Sequence, residues 1–192
     1  MLGPATNSTT KLNRPTAFIF DTFQTVFDMA KVKKPEMQAY GDHIRQYDGS
    51  DINHPYEPLH LPESWRKLPA HKDSAYGITK LRHAGFIVCT MSNGPVDLLI
   101  AASKYNGIHW DAIIPLECYK TFKPRREAYE AAIHFLRLKP HEIMMVTANV
   151  EFGDLEGSRD VGMTQTLIRD QSPNWSSFQD IEKLANFWTL NG

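Results

Sequence analysis

The sequence predicts an α/β protein with a doubly wound parallel sheet. Three observations carry that reading. Short, largely apolar runs recur at 17–20, 86–91, 110–115, 143–146 and 164–168. Longer stretches suited to helices lie between most of them, and strands alternating with helices imply βαβ units covered on both faces. The first run stops abruptly at Asp21, as a buried strand does when it delivers a carboxylate to an open sheet edge.

Taken in order, the first strand is expected at 17–20. Residues 31–70 then break the alternation with Pro35, Pro55, Pro58, Pro62 and Pro69. One helix is expected there, at 35–47, with proline in its first turn. Residues 48–69 read as irregular and pinned by proline. Tyr56, Leu59, Leu61, Trp65 and Leu68 nevertheless call for burial, so the stretch is expected to fold over the site as a small cap or lid. Further helices are expected at 72–83, 95–105, 124–136, 155–161 and 178–188. The resulting layout is a flexible tail (1–14), a core domain (15–30 and 71–192) and a cap insertion (31–70).

A chain of 192 residues suits one domain carrying such an insertion. The net charge of −1 gives no basic field for nucleic acid and no polybasic run for a membrane surface. No apolar run approaches membrane-spanning length. The polar N-terminus lacks the order of a signal peptide. Cys89 and Cys118 form no C-x-x-C pair and are expected to be structural thiols in a cytoplasmic setting. Five of the eight histidines (His43, His54, His60, His71 and His83) lie in or beside the expected cap, at spacings that match neither a helical pair nor a zinc knuckle, so no metal site is expected. Phosphate-binding glycine loops and a G-x-S-x-G elbow are absent from the sequence.

Ligands of open parallel sheets bind beyond the carboxyl ends of the strands. Asp21 falls there, and so do three further polar clusters. Ser92, Asn93, Gly94 and Pro95 follow the second strand and offer a hydroxyl, an amide and backbone N–H groups at a helix start. Lys123 sits at a loop exit before Pro124. Thr147, Asn149 and Asp154 follow the fourth strand. Each cluster alone fits an ordinary turn, cap or surface charge. Together they place two carboxylates, a lysine and a hydroxyl–amide pair at one sheet end. Asp21 then serves as a carboxylate nucleophile. Lys123 keeps it ionised beside Asp154. Ser92 and Asn93 hold an anionic group of the substrate. Asp154, with Asn149 and Thr147, orients or activates water.

These stations, in this order, resemble the haloacid dehalogenase superfamily. Its nucleophile motif is matched by Phe20-Asp21-Thr22-Phe23-Gln24-Thr25-Val26-Phe27-Asp28, its second motif by Ser92-Asn93-Gly94, its lysine motif by Phe122-Lys123-Pro124, and its acidic motif by residues 146–149 through Asp154. The resemblance implies catalytic roles for Asp21, Thr25, Ser92, Lys123, Asn149 and Asp154. It implies substrate contacts for Thr22, Phe23, Gln24, Asn93, Gly94 and Thr147. Phosphatase members carry a second Asp two residues after the nucleophile; here Phe23 stands there, as an aromatic does in the type II 2-haloacid dehalogenases. Ser158 stands where phosphatases tend to show a second acid in the last motif. The implied activity is metal-free: Asp21 displaces halide from C2 of a short 2-haloacid, and water cleaves the ester to a 2-hydroxy acid.

The chain departs from that family in several places. Gln24 replaces the usual glycine and is expected to add a side chain near the pocket. The loop before Asp154 is two residues longer, and the insertion after Asp21 is shorter than the family's helical cap. Those enzymes use a cap arginine to receive the halide, and Arg45 is the candidate here. Trp65 is the cap aromatic expected to close an apolar wall over the substrate. The expected partner is a small anionic substrate, with a homodimer possible through an apolar cap. Two other readings remain open at this point: a phosphatase of the same fold binding Mg2+ through Asp21 and Asp154, and a non-catalytic member that binds an anion or a protein.

Overall fold

The computed structural model describes residues 14–45, 56–170 and 177–190. The expected tail (1–13 of it), the end of the first helix beyond Arg45 and the first part of the irregular stretch lie outside the described residues.

The sheet has six parallel strands in the order β3-β2-β1-β4-β5-β6. They are β1 (Ala17–Phe20), β2 (Ile87–Met91), β3 (Ala112–Ile114), β4 (Ile143–Thr147), β5 (Thr164–Ile168) and β6 (Ser177–Phe178). The helices are α1 (Lys34–Arg45), α2 (Ser74–His83), α3 (Val96–Tyr105), α4 (Arg126–Leu136), α5 (Asp154–Asp160) and α6 (Ile181–Leu190). β1 is central, paired with β2 on one side and β4 on the other. The strand order reverses its direction of growth between these neighbours, which is where ligand crevices form in doubly wound sheets.

The apolar runs lack alternation because both faces are covered. Phe18 and Phe20 of β1, Val88 of β2 and Met144 and Val146 of β4 pack under α2, α3 and α6. Their sequence neighbours Ile19, Cys89, Met91, Ile143 and Met145 pack under α4 on the other face. Successive residues therefore enter opposite cores, as the two-residue period of a strand requires. Cys89 is fully buried, and burial pushes its thiol up to about 12, so it stays protonated.

Most element bounds fall within two residues of the sequence expectation, and two stretches differ in kind. Phe178, expected in the closing helix, lies in the short edge strand β6. Asp180 explains the shift: its carboxylate accepts the N–H of Lys183 at 2.6 Å, and Asp73 takes the N–H of Ile181 at 2.7 Å, so the helix starts only after that acid. In the stretch read as irregular, Glu63–Lys67 forms a 3-10 turn. It carries Trp65 into the core, where it is 1% exposed.

The described residues between β1 and α2 lie over the strand ends. α1 and Trp65 meet there through Glu36, whose Oε2 accepts the indole N–H at 3.0 Å. Among the described residues no helix is long and apolar enough to cross a membrane.

Candidate active site

Asp21 follows β1, and its backbone N–H still donates to Val146 O of β4 at 2.9 Å. The strand's own hydrogen bonding thus aims the carboxylate out of the sheet end. Next the chain folds into a tight turn: Val26 and Phe27 N–H both donate to Thr22 O, at 2.8 and 2.9 Å. The turn returns Thr25 beneath Asp21, and Thr25 Oγ1 donates to Asp21 Oδ2 at 2.8 Å. Thr25 Oγ1 in turn accepts the Ala148 N–H at 2.9 Å, which ties the turn to the loop after β4.

Lys123 arrives from beyond β3. Asn93 fixes it by a double clamp: the Lys123 N–H donates to Asn93 Oδ1 at 2.8 Å, and Asn93 Nδ2 donates to Lys123 O at 2.9 Å. The Lys123 ammonium then lies 2.7 Å from Asp21 Oδ1 and 3.0 Å from Asp154 Oδ2. Asp21 and Lys123 are each 4% exposed and Asp154 2%. One cation bridging two acids removes most of their repulsion, yet the cluster keeps one excess negative charge. Each carboxylate therefore needs further donors at this burial.

Those donors are present. Asn149 Nδ2 donates to Asp21 Oδ2 at 2.7 Å and to Phe23 O at 3.0 Å. Thr147 Oγ1 donates to Asp154 Oδ2 at 3.0 Å, and Tyr129 OH to Asp154 Oδ1 at 3.1 Å. Burial by itself disfavours the Lys123 ammonium, but the charges of Asp154 and Asp21 overcome it and hold the amine above its ordinary range. Asp154 is pushed above the ordinary carboxylate range, first by burial and then by the charge of Asp21, against the pull of Lys123.

Aromatic rings cover this polar floor. Phe23 packs edge-on against Tyr40 at 5.5 Å and Trp65 at 5.1 Å. Tyr40 also meets Phe152 edge-on at 6.5 Å. Gly94 allows Phe23 to approach the second motif closely: a Cβ there would sit 2.9 Å from the Phe23 ring. Floor and roof enclose a cavity of about 10 Å³, room for about one water. Asp21, Asn93, Lys123, Asn149 and Asp154 line it below, and Tyr40, Ile44 and Phe152 above.

Of the residues singled out by sequence, Asp21, Thr25, Lys123, Thr147, Asn149 and Asp154 converge in one network. Ser92 is buried alongside, and its Oγ accepts the Gly94 N–H at 3.2 Å. Thr22 is buried, and its Oγ1 has no hydrogen-bond partner among the described residues. Asn93 lines the cavity, but its side-chain amide is committed to the Lys123 backbone rather than open to a substrate.

Three further expectations are corrected. Arg45 does not reach the site: its guanidinium pairs with Asp42 at 2.5 Å, with 58% of its side chain exposed. Tyr40 and Ile44, four residues apart, occupy the inward face of α1, and Arg45 falls one position past it. Trp65 is not a cavity wall. It lies behind Phe23 and Tyr40 and supports them. Gln24 is exposed rather than turned into the pocket, with φ at 67°, the left-handed region in which glycine is favoured. Its carbonyl meets the His71 ring at 3.0 Å.

Four cavity or network residues were not singled out from sequence: Tyr40, Ile44, Tyr129 and Phe152. The signal for the first two was their i, i+4 spacing on an expected helix. Tyr129 reads from sequence as one more apolar-face residue of α4, and Phe152 as a loop hydrophobe.

No protein-family model matches the chain. Two curated proteins are similar to it. The (S)-2-haloacid dehalogenase 4A of Burkholderia cepacia is 29% identical over 137 residues, 68% of this chain and 58% of that one. The (S)-2-haloacid dehalogenase 1 of Pseudomonas sp. (strain CBS-3) is 27% identical over 121 residues, 62% of this chain and 52% of that one. The chain thus spans a little over half the length of these relatives. Among solved structures, the L-2-haloacid dehalogenase of Xanthobacter autotrophicus with chloropropionic acid covalently bound superposes with a TM-score of 0.64. It is 23% identical, covering 82% of this chain and 79% of that one, a likeness of fold. Sheet order and motif order agree with these relatives: the chain has their fold and is similar to the type II 2-haloacid dehalogenases of the haloacid dehalogenase superfamily.

Proposed function

We propose that the protein hydrolyses a short 2-haloacid to the 2-hydroxy acid through a covalent ester on Asp21. One observation carries the proposal: a buried carboxylate bridged to a second acid by Lys123, with the phenyl ring of Phe23 where a proton donor for an alkoxide would stand. Halide leaves without a proton; an alkoxide does not.

In the first step an Asp21 oxygen bonds to C2 as the carbon–halogen bond breaks, and halide departs with the bonding pair. Thr25 and Asn149 hold Oδ2, and Lys123 holds Oδ1, so the carboxylate meets the substrate in a fixed orientation. The Ser92 hydroxyl and the unpartnered Thr22 hydroxyl are the polar atoms that receive the substrate carboxylate. In the second step water adds to the Asp21 ester carbonyl, and its proton passes to Asp154. The acyl C–O bond then breaks as Asp154 returns that proton to the departing alkoxide, which frees the hydroxy acid; Asp21 loses the proton of the added hydroxyl to solvent and is restored as a carboxylate. Residues 31–70 act as a small cap over this chemistry.

The reading asks for no cofactor. The Mg2+ of a phosphatase does not fit the donor set. Both Asp21 oxygens and both Asp154 oxygens already accept hydrogen bonds, and the ammonium lies between the acids. Ser158 turns back into α5, donating to Asp154 O at 2.7 Å.

Halide release from 2-chloro- and 2-bromopropionate tests the proposal. The protein should release halide, and Asp21→Asn should reduce release to background. Undiminished release by Asp21→Asn, or metal-dependent hydrolysis of p-nitrophenyl phosphate in place of halide release, would overturn it.

A further inference from the structure

Displacement at C2 is in line, so the leaving group faces away from the nucleophile. Asp21 is on the floor of the cavity, so the halide points at the roof. Among the described residues three side chains form that roof, Tyr40, Ile44 and Phe152, and Tyr40 alone among them carries a polar atom. Arg45, the only arginine on α1, is turned away into its pair with Asp42.

From this geometry we infer that the Tyr40 hydroxyl is the hydrogen-bond donor that receives the departing halide. The inference rests on the reading above and adds a residue to it. Phe23, Phe152 and Trp65 hold the Tyr40 ring, the last at 5.7 Å. Its hydroxyl takes no part in the bonds that tie Asp21, Lys123 and Asp154 together. Burial, then the charges of Asp21 and Asp154, hold the phenol well above its ordinary range. It therefore stays protonated and keeps a hydrogen to donate. As C2–X breaks and the pair moves to the halogen, Tyr40 O–H shares its hydrogen with the new anion and keeps its proton. No acid–base step is added.

A neutral phenol in place of a guanidinium changes what the site favours. One short hydrogen bond helps a small, strongly accepting anion most, so dependence on Tyr40 should rise from bromide to chloride to fluoride.

The test compares Tyr40→Phe with the native protein on 2-bromo-, 2-chloro- and 2-fluoropropionate. The ring and its packing remain, and an unchanged Tm confirms that the fold does too. We expect kcat for the chloro acid to fall roughly tenfold, less for bromo and more for fluoro, with KM little changed. Arg45→Ala, outside the site, is the control and should stay within about twofold of native. Equal rates for native and Tyr40→Phe on all three acids, or a loss independent of the halogen, overturn the inference alone. Absence of halide release by the native protein overturns the proposed function and this inference with it.

Discussion

The floor and the roof of the cavity are built by different physics. The floor is saturated with polar contacts. Asp21, Lys123 and Asp154 are buried, bridged at 2.7 and 3.0 Å, and bonded to Thr25, Asn149, Thr147 and Tyr129. The roof is held by ring packing among Phe23, Tyr40, Trp65 and Phe152, with one hydrogen bond from Trp65 to Glu36. Charges in a low dielectric cannot shift without losing partners, whereas rings can slide. The cavity is too small for an organic acid as it stands, so the proposed function requires the roof, not the floor, to yield to substrate. On the proposals above, the strand ends carry the chemistry and α1 the choice of leaving group.

Breaking the floor should produce the largest effect. Lys123→Met leaves two buried acids facing each other without their cation. Removing one partner of a buried ion pair costs about 3–5 kcal/mol, and the variant should show that loss in denaturant unfolding, with turnover abolished. A variant as stable as the native protein would mean that the acids are far better hydrated than their burial indicates.

The pH dependence sharpens the comparison on a smaller scale. The folded-state pKa of Asp154 lies above its unfolded value. Its contribution to stability is therefore full below the unfolded pKa and is lost as pH rises through the folded one. Asp154→Asn should gain stability relative to the native protein over that rise, as read by Tm at a series of pH values. Activity needs the ionised base, so the acid limb of kcat should lie above the ordinary carboxylate range. A limb within that range, with no pH-dependent gain from Asp154→Asn, would contradict the raised pKa. On the roof, the effects expected are smaller still: the halogen-dependent loss in Tyr40→Phe, and none in Arg45→Ala.

The floor was more legible in the sequence than the roof. An apolar run ending in Asp21 announces both a strand and the direction of its last side chain. Ser92, Lys123 and Asp154 follow the same rule at other strand ends, and one sheet edge gathers them. The roof depends on which face of α1 turns inward. Arg45 has the right chemistry and falls one residue past that face, while Tyr40 and Ile44 have an unremarkable pattern until the partner surface is known. Gln24 misleads for a related reason: its place in the nucleophile motif suggests a side chain near the pocket, but the turn places it outward with a positive φ. Asn93 reads as a substrate ligand until the clamp on the Lys123 backbone is seen. The two-residue strand β6 is too short to leave a period.

The central claim is that Asp21, and not water, attacks the substrate carbon. A single turnover in H2-18O with enzyme in excess over 2-chloropropionate tests it directly. The account predicts that the heavy oxygen enters the peptide carrying Asp21, through hydrolysis of its ester, while the first hydroxy acid released carries the ordinary isotope. Label in that first product, with an unlabelled Asp21 peptide, would contradict it.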